Sequence, residues 1–83
     1  MTNIQIESFL SQKDLINKTV TISFKNRNAL SGIFIEMNDF GELKAKNLWR
    51  FVGEAKISEY KSTKDLNLSR IFNGVEFTKL SSK

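Results

Sequence analysis

Six residues of this 83-residue chain have the chemistry to hold a polyanion: Lys44, Lys46, Arg50 and Arg70 as cations, Phe40 as a stacking ring and Asn38 as a hydrogen-bonding amide. The stretch from Leu43 to Val52 carries no acid. If it is extended, Lys44, Lys46 and Arg50 fall on one face, away from Trp49 and Phe51. Three cations within about 20 Å, at roughly 3.3 Å per residue, can follow a phosphate backbone. The plainer expectation for the same residues is a solvated strand face. Phe40 stands between Asp39 and Gly41 at an expected loop tip, where an exposed ring stacks a base for about 1–3 kcal/mol. Its alternative role is to fold back and plug one end of the fold. Asn38 and Asn73 can bond bases, although Asn in a turn usually serves its own backbone. Lys25 and Arg27, in an expected first turn, extend the positive patch if that turn lies near it.

Composition narrows the remaining chemistry. There is no Cys and no His, which removes disulfides, thiolate sites, the commonest metal ligand and the usual general base. The expectation is therefore a binding module rather than an enzyme, with no cofactor and no metal. The net charge is +4, carried by ten Lys and three Arg (Arg27, Arg50 and Arg70). Such a balance suits nucleic acid or an anionic surface, and lysines are equally ordinary solubilising surface. The start, Met1-Thr2-Asn3-Ile4, lacks a basic segment followed by an apolar one. The longest apolar run, Ile33-Phe34-Ile35, is too short to cross a bilayer. A cytoplasmic protein without membrane contact is expected.

A chain of this length makes one domain, residues 1–83, and buries only about 60% of the surface its unfolded form exposes. With no staple available, self-association as a homo-oligomer is the expected supplement. Ile6, Phe9 and Leu10 predict an amphipathic helix over about residues 4–17, with a break offered at Ser11-Gln12-Lys13-Asp14. From Lys18 the period becomes two, with Val20, Ile22 and Phe24 on one side of a first strand. Residues 29–37 place Ile33, Ile35 and Met37 on one face and Leu30, Gly32 and Phe34 on the other. That pattern reads as a strand buried on both sides, or bent, with Gly32 admitting a close neighbour. Residues 43–52 read as a third strand, with Trp49 and Phe51 in the core. Residues 54–66 are ambiguous, with Ala55, Ile57 and Tyr60 as a short strand. Two last strands, 68–72 and 75–80, flank Asn73-Gly74, the favoured pair for a type I′ hairpin.

The order of these features from Lys18 to Phe77 resembles the Sm-like and SH3-like small barrels. Val20, Ile22, Phe24, Gly32, Phe34 and Asn38-Asp39-Phe40-Gly41 with Leu43 follow the first Sm motif. Ile71-Phe72-Asn73-Gly74-Val75 stands where the second motif carries an Arg-Gly turn. Asn38 occupies the place of the family's aspartate, and Arg70 is the nearest stand-in for its turn arginine. The run Gly32, Asn38, Gly41, Leu43 also resembles the C-terminal barrel of biotin protein ligases. The resemblance implies an all-β, strongly bent barrel of five to six strands with a short N-terminal helix over about residues 4–17 and the barrel over about 18–80. It also implies single-stranded RNA as ligand, with bases met by Asn38 and Phe40. An SH3-like module docking a protein partner is the alternative.

Overall fold

Thr2 opens the first helix, α1 (Asn3–Gln12). Its Oγ1 accepts the Gln5 amide at 3.2 Å, while the Gln5 side-chain oxygen accepts the Thr2 amide at 2.9 Å. Two orphan donors are satisfied reciprocally, as in a capping box. The helix stops at Gln12 and not at residue 17. Asp14 takes a left-handed φ of 51°, its amide bonds Ser11 O at 3.3 Å, and the Leu15 amide reaches back to Leu10 O at 2.8 Å. This is a Schellman arrangement, and its apolar contact is made by Leu10 and Leu15, both buried. The computed structural model describes residues 1–12 and 14–82; Lys13, inside the expected break, lies outside the described residues, as does Lys83.

Five antiparallel strands follow: β1 (Thr19–Phe24), β2 (Leu30–Phe34), β3 (Leu48–Gly53), β4 (Arg70–Asn73) and β5 (Phe77–Ser82). They form one sheet in the order β4-β3-β2-β1-β5. Alternation places Val20 and Ile22 of β1 inward, as their period requires. The central strand β2 is buried on both sides. Phe34 joins Ile6, Leu10, Val20, Ile22, Trp49, Phe51 and Phe77 in the larger core, with Leu30 at its margin. Ile33 and Ile35 join Val52 and Tyr60 in a second core, flanked by Met37 and Ile57. The two-faced pattern of residues 29–37 is thus a strand serving two cores. Gly32 is the close-approach site: a Cβ there would strike the Val52 carbonyl and come within 2.8 Å of the Phe51 ring.

Four expectations are corrected. The fold is not an all-β barrel: the chain is 40% helical and 35% strand, and its sheet does not close on itself. Residues 40–45 are helix α2 (Phe40–Ala45) rather than the end of a turn at Phe40-Gly41 and the start of a strand at Leu43. Phe-Gly-Glu-Leu-Lys-Ala is mostly good helix-forming sequence, and the turn beyond it runs through Asn47 at φ 60° before β3 begins. The apparent period of two in Leu43, Ala45, Trp49 and Phe51 spans two elements of different kind. Residues 57–63 form helix α3 (Ile57–Thr63), which turns Ile57 and Tyr60, one helical turn apart, to the second core. It ends where Lys64 takes φ 57° and donates its amide to Tyr60 O at 2.7 Å.

The fourth correction concerns Asn73-Gly74. β4 and β5 do not pair with each other; β4 bonds β3, and β5 bonds β1. Asn73 has φ −87° and ψ 120°, and a 3-10 turn over Gly74–Glu76 carries the chain between the two strands. The Asn73 side chain accepts the Val75 amide at 3.0 Å. Gly74 is required by crowding and not by positive φ, because a Cβ would meet the Asn47 amide and Ile6.

The Gly32 contact makes a measurable contrast with its cross-strand partner Gly53. Gly32→Ala is expected to lower stability by about 1–3 kcal/mol through overpacking. A Cβ on Gly53 meets nothing within 4 Å, so Gly53→Ala should stay within about 0.5 kcal/mol of the parent. Urea midpoints of the two variants check this, and equal midpoints would remove the close approach as a constraint.

Candidate nucleic-acid interface

The expected strand face of Lys44, Lys46 and Arg50 does not exist as one surface. Lys44 lies on α2, Lys46 caps its C-terminal end, and Arg50 lies on β3. Each is engaged by an acid. The Lys44 ammonium bonds Glu7 of α1, Lys46 lies 3.9 Å from Glu42, and Arg50 Nη2 donates to Asp39 Oδ2 at 2.6 Å. Among the described residues, the Arg50 Nε and the second Asp39 oxygen are buried without a hydrogen-bond partner. Its side chain is only 16% exposed, which leaves little of it for a ligand.

Phe40 is not at a loop tip. It is the first residue of α2 and half-buried, with its ring edge-on to Trp49 at 6.0 Å and the Lys44 ammonium 5.5 Å from its centroid. It covers the margin of the larger core, which is the plug alternative. Asn38 is exposed just before it. The hollow of about 340 Å³ between α1 and α2 brings Glu7, Asp14 and Glu36 around Lys44 and Phe40. Among the described residues, three carboxylates against one ammonium line this side, poor ground for phosphate.

Arg70 sits elsewhere. It pairs with Phe51 across β3–β4, and Arg50 pairs with Ile71, so strand alternation sends the two arginines to opposite faces. Arg70 lines a second hollow of about 330 Å³ together with Lys56, Asn67, Leu68, Leu30 and Phe72. Among the described residues, no carboxylate lines it. Phe72 continues from this hollow into an aromatic group, with Phe24 at 5.6 Å and Phe51 at 6.1 Å. Arg27, from the β1–β2 turn, sets its guanidinium 5.2 Å from the Phe24 centroid and 5.6 Å from that of Phe72. Among the described residues, no acid forms an ion pair with Arg27 or Arg70.

Of the six residues singled out by type and spacing, Asn38, Phe40, Lys44, Lys46 and Arg50 thus gather around α2, where acids offset the cations. Arg70 alone belongs to the acid-free side. Sequence reasoning noted Arg27 without placing it and missed Lys56 and Phe72 as neighbours of Arg70. The available signal was Arg27 three residues after Phe24, at the end of a strand whose ring is half-buried.

Phe40→Ala should lower stability by about 2 kcal/mol, since it uncovers Trp49 and opens the core margin. Lys46→Ala breaks only an exposed pair and should stay within about 0.5 kcal/mol. Thermal unfolding of both variants checks the contrast, and a neutral Phe40→Ala would return that ring to the list of free surface groups. Compared with family models, curated proteins and solved structures, the chain matches none.

Proposed function

We propose that this chain is a non-catalytic module of the Sm-like kind that binds single-stranded RNA without strict sequence preference, on the side formed by the β1–β2 turn and β4. The observation that carries the reading is the arrangement of Arg27 over Phe24 and Phe72 beside an acid-free hollow holding Arg70 and Lys56. Unpaired cations supply phosphate attraction, and half-buried rings supply sequence-tolerant stacking, the two components that single-strand binders combine. The order β4-β3-β2-β1-β5, the N-terminal helix and the Gly32 close approach support the Sm-like resemblance. The absence of His and Cys supports a binding role over catalysis. No helix among the described residues is long and apolar enough to cross a membrane.

Self-association belongs to the same reading. β4 and β5 are the two edges of the open sheet, and unpaired edges recruit further strands. Ile71 on β4 and Val75 just beyond it are 48% and 51% exposed. At micromolar concentration the protein should scatter light as a dimer or larger, and Ile71→Lys should reduce it to a monomer. A parent protein that stays monomeric at high concentration would remove the oligomer from the reading.

Binding is tested with a fluorescent single-stranded oligouridine titrated across a range of salt. Replacing Arg27, Lys56 and Arg70 by Gln should weaken binding and flatten the salt slope by roughly 0.7 log units per lost contact. Replacing Lys44 and Lys46 by Gln should leave the slope unchanged. If the folded parent binds no RNA at low salt, the nucleic-acid reading gives way to a protein partner docked on the β4 edge.

A further inference from the structure

The hollow between β4 and the segments flanking α3 has properties beyond a general basic surface. Its volume, about 330 Å³, lies at the small end of the range for small-molecule sites, so it fits one compact unit and not a chain. Its walls are apolar: Leu30, Leu68 and Phe72 are half-buried around it. Its charged lining groups are Arg70 and Lys56; among the described residues no acid lines it, and the Asp65 carboxylate bonds the backbone amide of Asn67, one of its lining residues. Arg70 and Phe72 stand two residues apart on the same face of β4, about 7 Å in an extended strand. That spacing suits a planar ring against Phe72 and an anionic group at Arg70. Asn67 adds an amide that is both donor and acceptor; its backbone is fixed by Asp65 Oδ1 at 2.9 Å, and no side-chain partner engages it among the described residues. Gly53 lines the same hollow with open space where its side chain would be.

We infer that this hollow is a subsite for one nucleoside monophosphate unit. The ring lies against Leu30, Leu68 and Phe72, the phosphate meets Arg70 and Lys56, and the Asn67 amide meets the base edge. The inference rests on the RNA-binding reading and deepens it: the strand is held by one nucleotide seated in the hollow, with Arg27 following the backbone outside. The unit can come from a strand or from a free nucleotide, and the experiment separates these sources.

The test is a titration of the ¹⁵N-labelled full chain with adenosine monophosphate, with adenosine, inorganic phosphate and oligoadenylate as separate arms. Adenosine monophosphate should move the amides of residues 53–56 and 67–72 and bind at least about tenfold more tightly than adenosine or phosphate alone. Arg70→Gln and Gly53→Val should each weaken it about tenfold, the first by removing a charge-assisted bond and the second by filling the opening. Lys46→Gln should bind as the parent does. Dispersed spectra establish that each variant is folded, and Arg70→Gln, an exposed change on an edge strand, decides the matter if Gly53→Val does not fold.

The subsite is overturned if adenosine monophosphate leaves those amides unmoved at about 10 mM, or if phosphate alone binds equally well, which would leave an anion site without a ring. It is likewise overturned if folded Gly53→Val or Arg70→Gln binds like the parent. Oligoadenylate that still binds Gly53→Val with parental affinity removes the subsite and keeps the RNA reading. Adenosine monophosphate in the hollow with no binding of oligoadenylate keeps the subsite and assigns it to the free nucleotide, against the RNA reading.

Discussion

With no side chain at Gly32, β2 can press onto β3 until a Cβ would meet the Val52 carbonyl and the Phe51 ring. Most of the architecture depends on that approach. It seats Phe51 beside Phe34, at 5.0 Å, within the larger core, while Ile33 and Val52, paired across the same two strands, enter the second. A central strand that feeds two cores lets a short chain bury apolar side chains on both faces of one sheet. The cores are thin, so each contact carries a larger share of the stability. Gly53, directly opposite Gly32, ends β3 and borders the acid-free hollow. The strand contact that organises the cores therefore also places the proposed subsite.

Asn47 joins the parts that the sheet leaves separate. Its side-chain oxygen accepts the Trp49 indole N–H at 2.8 Å, its amide nitrogen donates to Met1 O at 3.0 Å, and its backbone carbonyl accepts the Gly74 N–H at 2.8 Å. One residue at positive φ thus ties the start of the chain, the α2–β3 turn and the β4–β5 crossover. The need for Gly74 follows from this, since the Asn47 amide occupies the space a Cβ would take. Buried Trp49 keeps its polar handle satisfied inside an apolar core, which such rings require.

Charge is sorted by the same packing. α1 brings Glu7 to Lys44, and Asp39 at the start of α2 reaches Arg50. These contacts use cations that the composition alone leaves available. Among the described residues, the ion pairs leave Arg27 and Arg70 without an acid partner. Exposed ion pairs contribute little to stability, but they decide which cations stay unpaired.

The sequence by itself determined whatever rests on neighbours along the chain. The alternation of Val20 and Ile22, the two-faced run around Gly32, the core roles of Trp49 and Phe51 and a helix break near Ser11-Gln12 are local patterns, and all are present in the fold. Residues 40–45 and 57–63 were misread because a strand's period and a helix's spacing coincide over so few apolar residues. Asn73-Gly74 carried a strong local turn signal, yet its glycine answers to Asn47, far away in sequence. The side proposed for binding was decided only by tertiary structure. Lys44 meets an acid 37 residues away, Arg27 meets Phe72, and Arg70 faces away from Arg50 because strand pairing sends them to opposite faces. A residue's charge is written in its type, but whether that charge is free depends on partners that folding brings from distant parts of the chain.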